Sequence, residues 1–256
     1  MTFVRKNSIV REIWGKADTI LFIFGGAAAE FSLNKAVDWL YFTGKLPNDP
    51  LGRLFSTVVY AQKIIFSDEK TALDSIDKIT AIHQSVEQSR GMQIPDWAYR
   101  DVLFMLIHYS ISAFELLERN LEESEKEEVF DVFNRVGLRM NLKNLPLNYR
   151  EWLLSREHHM RQDLLKSGFT ADLYKQYEKH LGLVRYAILI EGQKLVVPAY
   201  VRHLLGLREF SGLKPFLLLY KYAQKIRFDK FLKQLLLPPR YAEQIMALDR
   251  LAEHHS

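Results

Sequence analysis

The chain contains no cysteine among its 256 residues. This absence excludes disulfides, thiolate zinc sites, iron–sulfur clusters and cysteine nucleophiles, so a metal would have to be held by histidine or carboxylate side chains. Glycine and proline are scarce, with 12 and 8 residues, while 48% of the chain is hydrophobic. Such a composition predicts an ordered protein with a large core, and the lack of cysteine is compatible with a cytoplasmic location.

Several catalytic motifs are missing as well. The sequence has no G-x-G-x-x-G for dinucleotides, no G-x-x-x-x-G-K-[ST] for nucleotide phosphates, no G-x-S-x-G and no H-E-x-x-H. The Glu-x-x-His pairs of di-iron carboxylate bundles are absent too. These absences argue against Rossmann enzymes, α/β hydrolases, zinc proteases and helical di-iron proteins.

Hydrophobic periodicity predicts a succession of helices along the chain. The expected helices lie near residues 20–42, 52–66, 70–88, 96–119, 122–137, 149–167, 171–181, 184–191, 197–208 and 213–236. Residues 184–190 and 194–197 are also rich in β-formers and leave a short hairpin as an alternative. We therefore predict an all-α fold, a single domain of about nine to ten helices over residues 1–256.

An apolar run follows the basic start of the sequence. Residues 20–29 resemble the core of a secretory leader, but acidic residues interrupt the basic flank and the run is too short to cross a bilayer. We favour a buried helix and keep a leader as the alternative. Within this run, Gly25 and Gly26 would let another backbone or a flat ligand approach closely.

Three polar residues fall on helix faces that should be buried. A period of 3.6 places Arg53 and Thr57 on one face with Ala61 and Ile64. The same spacing puts His83 on the apolar side of the following helix. An inward arginine needs an anion, and an inward histidine needs a partner or a metal. These three residues are the leading site candidates.

The other histidines have weaker claims. His108 lies in a helix that is apolar on nearly every side, so we expect a buried, neutral, hydrogen-bonded ring, with a second metal ligand or distal-pocket group as the alternative. His158 and His159 point to different helix faces, which is poor chelating geometry. His254 and His255 lie at an end that we expect to fray.

Positive charge is concentrated near the C-terminus. Residues 192–241 contain ten basic and two acidic residues, a local charge of +8. We predict a basic amphipathic helix near 213–237, suited either to the anionic inner face of a membrane or to packing on the domain with its lysines reaching solvent. We do not expect binding to nucleic acid, because no helix-turn-helix or aromatic RNA-binding signature accompanies the charge.

An ordered set of motifs resembles a known family. The set comprises Gly25–Ala29, Asp49–Tyr60, Ile82–Val86, Tyr99, Leu106–His108 and the Leu145-Pro146 step before Trp152. From Gly25 to about Arg208 the chain is similar to the DUF2236 family, which includes the catalytic domain of latex-clearing rubber oxygenases and the endoplasmic-reticulum oxygenase of mycophenolic acid biosynthesis. The order and spacing match over most of the chain.

This resemblance implies an all-α fold that holds haem b, with His83 as the protein ligand to iron. Gly25, Gly26 and Ala28 would leave room for the flat macrocycle, and His108 would be a further pocket residue. By the same resemblance, Arg53 would neutralise a propionate or polarise dioxygen, and Thr57 would offer a hydroxyl.

The sequence departs from the family pattern in two places. In the family a glycine commonly follows the His-x-x-Val motif closely, whereas here Glu87 and three further residues precede Gly91. Glu87, one turn from His83, would instead tune the imidazole or solvate the opening of the pocket. Ser56 replaces the basic residue of the latex-clearing members, which argues against polymer cleavage by their mechanism.

The sequence as a whole therefore predicts a haem-b-dependent oxygenase-like protein that combines dioxygen with a small hydrophobic or lipid-like substrate. A non-catalytic helical binding protein peripheral to a membrane is the alternative.

Overall fold

The structure is a computed structural model that describes residues 2–42, 44, 49–215 and 217, without the side chains of 50, 51 and 53–55. Ten helices lie in these ranges: α1 (Ile9–Trp14), α2 (Ala17–Phe31), α3 (Asp38–Phe42), α4 (Pro50–Phe66), α5 (Glu69–Arg90), α6 (Asp96–Leu117), α7 (Glu123–Arg139), α8 (Tyr149–Asp163), α9 (Gly168–Val196) and α10 (Ala199–Leu205). Pairing between extended segments in this part of the chain is limited to two isolated bridges. The predicted all-α fold is confirmed.

One alternative and one helix boundary are settled differently from the sequence patterns. Of the helix and the hairpin that both remained open for residues 184–197, the helix forms, since residues 184–196 continue α9 after a kink at Gly182, whose φ is 74°. The side-chain amide of Gln193 donates through Nε2 to the carbonyl of Gly25 and ties α9 to α2, so packing outweighs the local β-propensity. The helix expected over 20–42 instead ends at Phe31, and α3 is separate.

Short polar side chains set the starts of several helices. Asp68 accepts from the Thr71 amide and Asn148 from the Glu151 amide, which satisfies donors that have no partner within the first helical turn. At the other end of α5, Gly91 adopts φ 68°, a left-handed conformation that glycine takes without a steric penalty. Asp68 and Gly91 thus mark the two ends of α5, and Asn148 marks the start of α8.

Helix α2 is central to the packing. Ile20, Ile23 and Ala29 are buried in the main core, as expected for a buried helix. The helix packs most extensively along α6 and also against α9. In the described part of the chain, no helix is both long enough and apolar enough to cross a membrane.

The predicted basic helix near 213–237 lies outside the described residues, except for 213–215 and 217. His254 and His255 are outside them as well.

Candidate functional site

A cavity of about 330 Å³ lies among six long helices of the bundle. α2, α4, α5, α6, α7 and α9 all contribute to its wall, so residues distant in sequence meet there. Most of the lining is apolar, including Phe24, Ala27, Ala28, Phe31, Ala61, Ile64, Ile79, Met105, Phe133 and Leu173. A concave apolar site with few polar groups is the usual form of a small-molecule site.

The polar groups among the described lining residues are few and uncharged in type, namely five hydroxyls and one imidazole. Hydroxyl groups come from Ser56, Thr57 and three tyrosines, and His83 is the one histidine among the described lining residues. Within the same set there is no aspartate, glutamate, lysine or arginine. The described wall therefore offers a single nitrogen ligand in apolar surroundings.

One side of the cavity is accessible to solvent and the other is closed. Ser56, Thr57 and Ile82 are exposed, whereas Phe24 and Met105 on the opposite wall are buried. His83 lies on the accessible side and is half-buried. A ligand that enters from this side would meet the imidazole and the hydroxyls before it reaches the apolar interior.

The helix faces predicted around His83 agree with the structure in most positions. Ala72 and Ile76 are fully buried on α5, and His83 lies half-buried on the same side. On α4, Ala61 and Ile64 are buried as expected. Thr57 differs, since it lines the cavity but is exposed rather than buried because the cavity opens there.

Arg53 lies on α4 one helical turn before Thr57, on the side of α4 from which Thr57 reaches the cavity. Its side chain is outside the described part of the structure. The predicted role of Arg53 therefore stays a prediction.

His83 packs against the ring of Tyr99, whose hydroxyl is hydrogen-bonded to Glu87. The rings of His83 and Tyr99 meet edge to face, with centroids 5.1 Å apart and planes at 68°. The Tyr99 hydroxyl donates to Glu87 Oε1 at 3.0 Å, and the Ile94 amide donates to the same oxygen at 2.9 Å. Glu87 was expected to act on the imidazole, and these hydrogen bonds connect it to the site through Tyr99.

The small residues predicted to accommodate a macrocycle divide into two groups. Ala28 lines the cavity, but Gly25 and Gly26 are not among its described lining residues. A Cβ added to Gly26 would lie 2.3 Å from the Tyr109 ring, and one added to Gly25 would meet Leu189 at 3.7 Å. The space beside Gly26 is thus filled by a side chain of the protein itself.

His108 lies outside the described cavity lining. Its Nε2 is 3.3 Å from the Ser112 hydroxyl, and its ring meets Tyr109 edge to face. Burial, with a smaller contribution from the nearby Arg156 charge, holds the pKa of His108 well below its usual value. The expectation of a neutral, hydrogen-bonded ring agrees with this environment, and a role in cofactor binding remains only a prediction.

Sequence reasoning missed a second group of potential metal ligands. Asp101, His159 and Asp163 bring one ligand atom each to within 4.8 Å of one another. His159 Nδ1 lies 2.6 Å from Asp101 Oδ1 and 3.2 Å from Asp163 Oδ2, while the Asn34 amide donates to the other oxygen of Asp101. The i,i+4 spacing of His159 and Asp163 was a usable signal. Asp101, on another helix, gave none.

A buried ion pair was missed as well. Arg156 on α8 donates through both terminal nitrogens to Glu30 on α2, at 2.5 Å, and the Tyr109 hydroxyl donates to the same carboxylate at 2.8 Å. The side chains of Arg156 and Glu30 are only 5% and 1% exposed. The adjacent Glu30 charge keeps the pKa of Arg156 above its ordinary value although burial opposes this.

Comparison with known proteins assigns the chain to a family. A family model described as "ER-bound oxygenase mpaB/B'/Rubber oxygenase, catalytic domain" matches residues 14–245. No curated protein and no solved structure matched the chain. The match covers the helices that build the cavity and nearly the whole sequence. The chain therefore belongs to the ER-bound oxygenase and rubber oxygenase catalytic-domain family, the DUF2236 family, and its oxygenase-like function is supported by that membership.

Proposed function

We propose that this protein is a haem-b-dependent oxygenase that acts on a small hydrophobic or lipid-like substrate in the central cavity. The observation that carries the proposal is the position of His83, a lone imidazole in the described wall of an apolar cavity that contains no charged side chain among its described lining residues. An oxygenase family implies dioxygen and a metal or haem cofactor.

The ligand set favours haem over a bare metal ion. A non-haem iron centre typically takes three protein ligands, such as two histidines and a carboxylate, whereas the iron of haem b is held mainly by the porphyrin and would need one side-chain ligand from the protein. The described cavity wall supplies one imidazole and no carboxylate. Asp101, His159 and Asp163 form the competing metal candidate, but none of them is among the described lining residues, so substrate in the cavity would not meet a metal there.

The chain's own residues would hold and orient the cofactor. His83 would ligate iron through a ring nitrogen of its neutral imidazole, the form that has a lone pair available for a metal. The small side chains of Ala27, Ala28 and Ala61 leave space along parts of the cavity wall, which suits a flat group. When bound, haem b supplies the one-electron and dioxygen chemistry that protein side chains lack.

Two residues of α4 would interact with the polar groups of the cofactor or with dioxygen. The Thr57 hydroxyl lines the accessible side of the cavity and can donate or accept a hydrogen bond. Arg53, one turn earlier on α4, would pair with a propionate or polarise dioxygen through its permanently charged guanidinium. The buried apolar wall around Phe24 and Met105 would hold the substrate's hydrocarbon part and exclude water.

Absorption spectroscopy tests this proposal. Protein produced with a haem precursor should show a Soret band, and His83→Ala should abolish it while circular dichroism remains helical. His180→Ala is the matched control, because His180 is exposed on α9 and outside the described lining. A colourless wild-type protein that rejects added haemin would overturn the proposal, and stoichiometric iron without a Soret band would direct attention to Asp101, His159 and Asp163.

A peripheral membrane location is the second part of the proposal. The basic segment 213–237 would hold the protein at an anionic cytoplasmic surface, where hydrophobic substrates dissolve. Sedimentation with anionic vesicles should weaken when Lys221, Lys225, Lys230 and Lys233 are changed to glutamine. Equal sedimentation of this variant and the wild type would remove the membrane contact from the account.

A further inference from the structure

We propose that Tyr99, anchored by Glu87, is a positioning residue that fixes the orientation of the His83 imidazole for ligation. This inference rests on the proposed haem-binding role of His83. It assigns a purpose to a contact between α5 and α6 that neither the family match nor the motif pattern explains.

The side chains of His83, Glu87 and Tyr99 lie together where α5 contacts α6. His83 and Glu87 are four residues apart on α5, so they lie one turn apart on the same side of that helix. Tyr99 comes from the first turn of α6 and reaches both of them, with its ring against His83 and its hydroxyl on Glu87. The phenol is therefore held at two ends, by its backbone on α6 and by its hydroxyl on α5.

Glu87 also controls where α6 begins. The oxygen that accepts the Tyr99 hydroxyl also accepts the Ile94 amide from the segment that joins α5 to α6. This segment leaves α5 through the left-handed Gly91. One carboxylate thus fixes both the connecting segment and the ring that follows it, so the position of Tyr99 relative to His83 does not depend on the phenol alone.

The hydrogen bond from the Tyr99 hydroxyl has a carboxylate oxygen of Glu87 as its acceptor. A hydrogen bond to a charged acceptor is stronger than one between neutral groups. Glu87 therefore holds the Tyr99 ring in place beside His83.

An edge-to-face contact restricts the rotation of the imidazole about its bond to Cβ. Aromatic pairs at this separation prefer such geometry, so the Tyr99 ring favours a narrow range of His83 ring planes. Residues that orient a metal-binding histidine by a hydrogen bond commonly change metal affinity about 10- to 100-fold, and the Tyr99 ring would orient His83 by packing instead. Tyr99 also lines the cavity, so its ring lies on the side from which the ligand approaches His83.

Three substitutions test the Tyr99 ring and its hydrogen bond to Glu87 separately. Tyr99→Leu removes the ring, Tyr99→Phe removes only the hydroxyl, and Glu87→Gln keeps an oxygen acceptor for both hydrogen bonds. Tyr200→Phe is the matched control, because Tyr200 lies on α10 outside the described lining. Haemin affinity is measured by absorbance titration, and the ferric protein is examined by electron paramagnetic resonance, whose signal responds to the axial ligand's orientation.

We expect Tyr99→Leu to weaken haemin binding on the order of 10-fold or more and to broaden or shift the ferric resonance signal. Tyr99→Phe should weaken haemin binding by about 2- to 10-fold, the equivalent of one hydrogen bond, and the single substitution Glu87→Gln should retain most of the wild-type affinity. Thermal melting of the haem-free proteins shows whether each variant is folded, and Tyr99→Phe keeps the test available if Tyr99→Leu fails to fold.

Wild-type affinity and an unchanged resonance signal in both Tyr99 variants would overturn this inference and leave the proposed function intact. Failure of the wild-type protein to bind haemin would overturn both. A loss of affinity in Tyr200→Phe equal to that in Tyr99→Phe would also contradict it, because the effect would then not depend on contact with His83.

Discussion

The two faces of α2 differ in what they pack against. Phe24, Ala27, Ala28 and Phe31 follow a helical spacing and line the apolar cavity that contains His83. On another face, Glu30 forms the buried ion pair with Arg156 and accepts from Tyr109. The first face of α2 borders an accessible cavity that contains the His83 imidazole. The second face is packed against a buried ion pair of the protein itself.

The same contrast separates two histidines. His159 lies between Asp101 and Asp163, so its Nδ1 is satisfied by groups of the chain. His83 lies on the wall of a cavity with an aromatic ring beside it and no acidic side chain among the described lining residues. Metal-binding residue types alone would favour the first histidine, but the accessible space favours the second as the site of chemistry.

The largest expected effect concerns the charged side of α2. Arg156→Met should lower the free energy of unfolding by about 3–5 kcal/mol, because it leaves the Glu30 carboxylate buried without its cation. Urea denaturation measures the loss. Arg161→Met is the control, since Arg161 pairs with Glu157 where both side chains are largely exposed, at 67% and 60%. Equal losses in the two variants would contradict the contrast between the faces.

The next effect distinguishes neighbouring glycines. Gly26→Ala should lower the free energy of unfolding by about 1–3 kcal/mol, because the added Cβ would overlap the buried Tyr109 ring. Gly25→Ala should be neutral or stabilising, since its Cβ makes an ordinary contact with Leu189 and alanine favours helix. Chemical denaturation of the pair measures both. If Gly26→Ala keeps its stability and loses haemin instead, the space at Gly26 serves a cofactor.

The smallest effect is a pH dependence in the polar cluster. Burial first, and then the Asp101 charge, raise the pKa of Asp163 above its ordinary value of 3.8, with His159 and Lys35 opposing. The folded protein therefore binds this proton more tightly than the unfolded chain. The resulting stability is present at low pH and is lost as pH rises through the raised pKa.

Asp163→Asn should remove this contribution, so its stability should fall less than that of the wild type as pH rises above about 4. Unfolding free energies measured at a series of pH values test the slope, with the exposed Asp74→Asn as the control. Parallel curves for Asp163→Asn and the wild type would show that Asp101 and burial do not act on Asp163 in this way.

Local sequence patterns predicted the fold class and the buried helix α2, because both follow from hydrophobic spacing within single helices. The same spacing predicted that His83 lies on the same face of α5 as Ala72 and Ile76, which are buried. It could not reveal that the cavity opens at Thr57, since exposure there depends on neighbouring helices. The contacts of Asp101 with His159 and of Gly26 with Tyr109 join distant segments, so one sequence carries no periodic signal for them.

The sequence alone leaves residues 184–190 open between a helix and a hairpin for a related reason. Local propensities there suit both, whereas Gln193 and the apolar residues around it pack against α2 as a helix. Tertiary contacts thus decided the structure of the segment where local preferences were balanced.

Chemical rescue of His83→Gly shows whether His83 is the residue that holds the cofactor. The folded variant should lose added haemin on a desalting column, and it should retain haemin with a Soret band when free imidazole replaces the missing side chain. The wild-type protein should retain haemin with or without imidazole. A variant that binds haemin with a wild-type spectrum in the absence of imidazole would contradict the account, because iron would then be held by a residue other than His83.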